Sequence, residues 1–186
     1  MQRLLFFLLS LLFFHSCMTD RDITSLDSPI DNPDYELMHY WNFNTSSSLE
    51  TPVFSKGGAS FTYSGSYLDD VNPGSDINAR NQDEAGGALR LRNPSGPLIL
   101  SIPTTGYKDV ILSYVATRTG SGSKTQSISY STDGQHYSTV GLTQSEYTIF
   151  EDHYVLIQIS FSSIDGVDDN SAFKVKIEFD EASSLI

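Results

Sequence analysis

Four oxygen-bearing side chains lie close together in a turn between two predicted strands, where they could bind a cation. They are Asp165, Asp168, Asp169 and Asn170. Calcium accepts carboxylate and amide oxygens from loops in irregular geometry, which makes this turn a candidate calcium site. Turns also select Asp and Asn because these side chains hydrogen-bond the nearby backbone. The sequence therefore leaves two interpretations, a calcium site or a turn held by its own side chains.

Residues 65–87 form a second acidic segment, with Asp69, Asp70 and Asp76, and they contain no run that predicts a strand. Loops of this length are uncommon inside compact domains, and they are usually functional or disordered. We therefore expect this segment to contribute a binding surface.

Tyrosine rings are the other candidate contact with a ligand, because aromatic side chains combine a large apolar face with a polar edge. Four tyrosines fall near predicted loops, where we expect them to be exposed and able to stack on sugars. These are Tyr63, Tyr67, Tyr107 and Tyr147. Trp41 alternates with Leu37 and Phe43, which predicts that it packs in the core.

The sequence offers little for catalysis. It contains no Gly-x-Ser-x-Gly elbow, no phosphate-binding glycine loop and no His-Glu-x-x-His motif. His39, His136 and His153 lack metal-ligand spacing, and we expect them to be structural or solvated. Glu178 and Asp180 share a strand face, as paired glycosidase carboxylates can, but that face also carries lysines and is predicted to be solvated. The sequence thus predicts a protein that is not an enzyme.

The first residues have the pattern of a secretory leader. Arg3 precedes the apolar run LLFFLLSLLFF, which is too short to span a bilayer as a helix. Phe14, His15 and Ser16 lead into Cys17, the only cysteine. This arrangement resembles the lipobox of bacterial lipoproteins, in the relaxed form of Bacteroidota, in which the cysteine is lipidated and becomes the mature N-terminus. The alternative is a free thiol beyond an ordinary signal peptide, a liability in an oxidising compartment.

Lipidation of Cys17 would set both the domain organisation and the location. Residues 1–16 are then a signal peptide, residues 17–36 the lipidated cysteine with a flexible tether, and residues 37–186 one domain. Two acyl chains hold a protein on a membrane, so we expect it lipid-anchored at the outer membrane or cell surface. The 11 basic and 23 acidic residues give a net charge of −12, which argues against nucleic acid as a partner.

Alternation of apolar and polar residues predicts strands throughout the domain. The clearest inward-facing sets are Val110, Leu112 and Tyr114; Val155, Ile157, Ile159 and Phe161; and Phe173, Val175, Ile177 and Phe179. Such alternation is typical of antiparallel sheets with one wet face. The predicted fold is all-β, a two-sheet antiparallel sandwich of jelly-roll type. Asp133 and Gly134 further predict a type I′ hairpin that pairs the strand before them with residues 135–140.

The segments ALRLRN, SIPTTGYKDVILSYVATRTGSGS, QSISYSTDG and NSAFKVKIEFD, within residues 88–180, together resemble a jelly-roll module of secreted and surface proteins, mostly of Bacteroidota. Such modules are often attached to extracellular enzymes, including nucleases, and are similar in outline to carbohydrate-binding jelly rolls. They usually continue into one more strand, whereas this sequence ends at residues 181–186. The resemblance thus implies an open sheet edge, which could pair with another chain.

Two functions remain open on the sequence. The first is a non-catalytic binding module, for carbohydrate or another extracellular ligand, that uses the 65–87 segment and the neighbouring tyrosines. The second is a structural or adhesive envelope protein that associates through strand edges.

Overall fold

The computed structural model describes residues 35–45, 49–67, 72–81, 83, 86–92 and 96–180. The predicted signal peptide, Cys17 and the tether up to residue 34 lie outside these ranges, as do Asp69 and Asp70. The chain divides into two units, Met1–Tyr35 and Glu36–Ile186, and the second contains every described strand. The described residues include no helix with the length and hydrophobicity that a bilayer span requires.

All regular elements among the described residues are β-strands. They are β1 (His39–Tyr40), β2 (Phe54–Ser55), β3 (Ser60–Tyr63), β4 (Ser66–Tyr67), β5 (Asn72–Pro73), β6 (Gly87–Ala88), β7 (Leu91–Arg92), β8 (Leu98–Ser101), β9 (Ile111–Ala116), β10 (Thr125–Ser131), β11 (Glu146–Thr148), β12 (Val155–Ser160) and β13 (Lys174–Asp180).

The larger sheet has five strands in the order β11-β10-β13-β8-β3, and each of its pairings is antiparallel. Strands β9 and β12 pair with each other in a separate antiparallel sheet. The chain passes from β8 to β9, back to β10 and β11, out to β12 and back to β13, so every one of these connections except β10 to β11 crosses between the two layers. The predicted all-β, two-sheet antiparallel sandwich is confirmed.

The core lies between the two sheets, and alternation along the strands fills it as predicted. Ile128 from β10 and Val175 from β13 face Ile157 from β12 in one buried cluster. Phe161 and Phe173 are almost fully buried and meet edge to face, with ring centroids 5.0 Å apart. Burial of alternate apolar side chains on each sheet is what holds the layers together.

The Asp133-Gly134 turn differs from the predicted type I′ hairpin. Only Gly134 has a positive φ, whereas a type I′ turn needs positive φ at both central residues. The Asp133 carboxylate instead accepts hydrogen bonds from the amides of Gln135 and His136, both 2.8 Å long. Residues 135–140 therefore form no strand, and their backbone pairs with β10 only at the bridge between Tyr130 and Ser138.

The predicted strand over residues 37–44 is also shorter than expected, because β1 ends at Tyr40. Phe43 has φ of 53°, in the left-handed region that bulky residues rarely adopt. The chain turns there, which the regular alternation of Leu37, Trp41 and Phe43 does not reveal.

The 65–87 segment is not a loop without strands. It contains β4 and β5, and β6 begins at its end; β4 pairs with β7, and β5 pairs with β6. Asn78 donates from Nδ2 to the carbonyl of Ser113 in β9, over 3.1 Å. The sequence prediction was wrong here because pairings of two residues are too short to leave an alternating pattern.

Gly74 beside this short pairing allows a close backbone approach. A Cβ at Gly74 would lie 2.5 Å from the carbonyl oxygens of Gly86 and Gly87. We expect Gly74→Ala to lower the free energy of unfolding by about 1–3 kcal/mol, since rigid backbone must move. Gly120→Ala is the matched control, because its Cβ would meet only the flexible end of Glu151 at 3.2 Å. Equal losses in the two variants, measured by urea unfolding, would contradict this role of Gly74.

Candidate functional site

The four candidate tyrosines do not form one site. Tyr63 lies in β3 and Tyr147 in β11, which are the two edges of the five-stranded sheet. Four strand spacings separate them, or about 19 Å. Tyr107 follows β8 and bonds through its backbone to Thr104, at the end of the sheet opposite Tyr147.

Two of these tyrosines are also less exposed than predicted, because they belong to strands and not to loops. Tyr147 packs against the core, donates from its hydroxyl to the carbonyl of Gln144, and has its pKa raised by burial. Tyr63 is half-buried and donates to the carbonyl of Arg92. For Tyr67 the structure describes the backbone, which pairs with Leu91.

Tyr107 has a charged neighbour. The Nζ of Lys56 lies 5.6 Å from its ring centroid, and the same ammonium pairs with the carboxylate of Glu36. That ion pair lowers the pKa of Glu36 and raises the pKa of Lys56. The ring of Tyr107 therefore supports an ion pair at the start of the domain.

Two of the four candidate calcium ligands, Asp168 and Asp169, accept hydrogen bonds from the backbone. Asp169 accepts from the amide of Gly106 over 2.7 Å, and Asp168 accepts from the amide of Asp109 over 3.0 Å. Asp169 itself has φ of 48°. The two carboxylates thus fasten their own turn to the turn that follows β8.

Asn170 completes this fastening. Its Nδ2 donates to the carbonyls of Thr132 and Gly166, over 2.8 and 2.5 Å, and its Oδ1 accepts from the amide of Ala172 over 2.7 Å. Asp165, the fourth candidate, is exposed. Within the described ranges, no three acidic, His or Cys side chains come together as a metal site would require. The structure does not bring the four residues together as a ligand set, and calcium binding stays a prediction.

The three histidines have ordinary polar partners. His136 and His153 bond the carboxylates of Asp133 and Asp152 at the surface. His39 is described with the hairpin below. Glu178 is exposed and pairs with a lysine of its own strand face, at 3.0 Å.

A groove that the sequence did not predict lies in the hairpin that joins β1 to β2. Residues 41–45 leave β1 and residues 49–53 return to β2, and the groove lies between these two arms. Its lining is Trp41, Asn42, Phe43, Thr45, Leu49, Thr51 and Val53. Its cavity volume is about 20 Å³, room for about one water molecule and far less than the volume of a pocket that encloses a ligand. The groove is therefore a shallow platform.

Aromatic contacts fix the floor of the groove. Trp41 and Phe43 both pack on Phe61 of β3, with centroids 6.3 and 6.4 Å away. Trp41 also donates from Nε1 to the carbonyl of Glu50, which links the two arms over 3.2 Å. The prediction that Trp41 packs against the core is confirmed, but its ring also lines the groove.

Amide side chains tie the first arm to the neighbouring segment. Asn42 donates from Nδ2 to the carboxylate of Asp83 over 2.9 Å, and the Oδ1 of Asn44 accepts from the amide of Gly87 over 2.5 Å. The backbone N–H of Asn44 also donates to the Oδ1 of Asn42. The positive φ of Phe43 is thus held by bonds on both sides, as strained backbone at binding sites often is.

His39 anchors the base of the hairpin to the sandwich. Its Nε2 lies 2.9 Å from the carbonyl of Pro103, which can only accept, so Nε2 carries the proton. Nδ1 then accepts from the hydroxyl of Ser55, its partner in the pairing of β1 with β2, over 2.9 Å. Burial lowers the pKa of His39 below its ordinary value, which favours this neutral form.

The groove combines aromatic rings with hydroxyl and amide groups, the chemistry that a sugar requires: flat apolar faces for its C–H groups and polar partners for its hydroxyls. Sequence reasoning missed it because Trp41 and Phe43 looked like core residues. The only local signal was the cluster of Asn and Thr around these rings. The chain matches no protein-family model, and it has no significant match among curated proteins or solved structures.

Proposed function

We propose that the protein is a non-catalytic binding module that holds carbohydrate in the groove between Trp41 and Val53. It is a Bacteroidota-type lipoprotein, anchored through lipid on Cys17 at the outer membrane or cell surface. The leader and the cysteine that follows it support the anchor. The sandwich then presents the groove to extracellular glycans.

One observation carries the binding proposal: the rings of Trp41 and Phe43 share a shallow groove with the polar side chains of Asn42, Thr45 and Thr51. Both threonines are exposed. Their hydroxyls can therefore form hydrogen bonds with a ligand in place of hydrogen bonds with water. The rings are already ordered by their packing on Phe61. A ligand therefore loses little affinity to ordering of the site.

The test is binding of the full-length protein, purified in detergent, to an array of glycans. We expect Trp41→Ala to weaken binding to the best glycan by about tenfold or more, as loss of a central aromatic anchor does. Thr51→Val keeps the shape and removes one hydroxyl, so a smaller loss without loss of fold is expected. Tyr147→Phe, at the far edge of the sheet, is the matched control and should bind as the parent does.

An array without any bound glycan would overturn the proposal. If the same protein then assembled with rising concentration in sedimentation velocity, the structural or adhesive function would replace it.

The expected open edge is not at β13, which is paired on both sides, by β10 and β8. The edges of that sheet are β11 and β3, and residues 181–186 lie outside the described ranges.

A further inference from the structure

Among the residues that the structure describes, the lining of the groove includes no ionisable side chain. Its residues are Trp, Asn, Phe, Thr, Leu, Thr and Val. A sugar that bears a carboxylate or a sulfate would therefore find no cationic group in the lining to pair with its charge.

Two acidic residues neighbour the lining of the groove. The carboxylate of Asp83 lies 2.9 Å from Nδ2 of Asn42, a lining residue. Glu50 is exposed and stands between the lining residues Leu49 and Thr51. The whole chain carries a net charge of −12, so its long-range electrostatic field is negative, like these two side chains.

Two cations near the hairpin already have partners within the protein. Lys56 follows β2 and pairs with Glu36. Arg80 donates from its amide to the hydroxyl of Tyr40 and turns its guanidinium onto Asn78, with 2.8 Å from Nη2 to Oδ1. Either cation would have to give up a bond to reach an anionic ligand.

We propose that the groove selects uncharged sugar rings and rejects uronic acids and sulfated sugars. This inference rests on the proposed function. An anionic ring in the groove would lie near the Asp83 carboxylate that bonds Asn42, and repulsion of one such pair lowers affinity by about tenfold. An uncharged ring avoids this repulsion and keeps the stacking on Trp41 and Phe43.

The experiment uses the full-length protein and oligosaccharides that differ only in oxidation of C6, such as β-1,4-linked mannohexaose and the mannuronate hexamer, together with an array that holds neutral and anionic glycans. Bound glycans should be uncharged, and a neutral oligomer should bind about tenfold more tightly than its uronate at low salt. Added NaCl should narrow this ratio, since it screens the repulsion and leaves neutral binding unchanged.

Asp83→Asn should lower the neutral-to-uronate affinity ratio about threefold or more, because it removes the charge and keeps an oxygen for Asn42. Asp152→Asn, an exposed carboxylate beside His153, is the control and should leave the ratio unchanged. An anionic glycan bound more tightly than its neutral counterpart, or an unchanged ratio in Asp83→Asn, overturns the selectivity alone. Absence of binding to any glycan overturns the proposed function, and the selectivity with it.

Discussion

Replacing Phe161 with alanine should lower the free energy of unfolding by about 3–5 kcal/mol, the largest effect that we expect from a single change. Phe161 is fully buried where the two sheets meet. Its ring contacts Phe173 at 5.0 Å and Tyr130 at 6.0 Å, both edge to face. Alanine would remove these contacts and leave a cavity that a packed sandwich cannot close. Urea unfolding followed by tryptophan fluorescence measures the change.

Phe150→Ala is the control for this prediction, because it makes the same replacement at a side chain that is 42% exposed. Its ring stacks on His153 at the surface, and we expect a loss below about 1 kcal/mol. Domains of this size are stable by roughly 5–15 kcal/mol, so a loss of about 3–5 kcal/mol in the Phe161 variant should shift the urea midpoint clearly. Similar losses in both variants would mean that Phe161 is not in the core.

Replacing Asn170 with aspartate should cost about 2–3 kcal/mol, with or without calcium. The aspartate keeps the Oδ1 oxygen but has a second oxygen in place of the NH₂ group, whose two N–H bonds donate to the carbonyls of Thr132 and Gly166. Those carbonyls would then face a carboxylate, which cannot donate to them. Thermal unfolding in EDTA and in excess Ca²⁺ measures both the loss and its dependence on the ion.

The same measurement separates the two interpretations of the acidic turn. Asp165→Asn is the control, since Asp165 is exposed and its replacement should be neutral if the turn holds itself. A calcium-dependent rise in melting temperature that disappears in Asp165→Asn would establish the ion site. If, in addition, Asn170→Asp lost no thermal stability at saturating calcium, the structural role of Asn170 would be contradicted.

The core could be predicted from the sequence because burial repeats every second residue. The inward-facing sets that end in Phe161 and Phe179 could be predicted from the residue types along a single strand. The prediction did not depend on which apolar face covers them. Val175 and Ile177 are buried as that alternation requires. The sandwich follows from such faces, since each sheet needs another to cover it.

The candidate site could not be predicted in the same way because its contacts join distant parts of the chain. Asn42 bonds Asp83, and Trp41 packs on Phe61; neither pairing leaves a pattern within a short window of residues. Tyr147 was expected in a loop because the three residues of β11 are too few to show alternation. Short strands and side-chain ties to backbone depend on tertiary structure, which overrides local propensity.

The position of β13 has a consequence for the order in which the protein folds. It is the last of the described strands in the chain, and it is paired on both flanks by β8 and β10. A chain that emerges from the ribosome cannot complete the larger sheet before this strand is synthesised, because β8 and β10 do not pair directly with each other. Long-range pairings of this kind form slowly, so we expect the larger sheet to fold only after β13 has been synthesised.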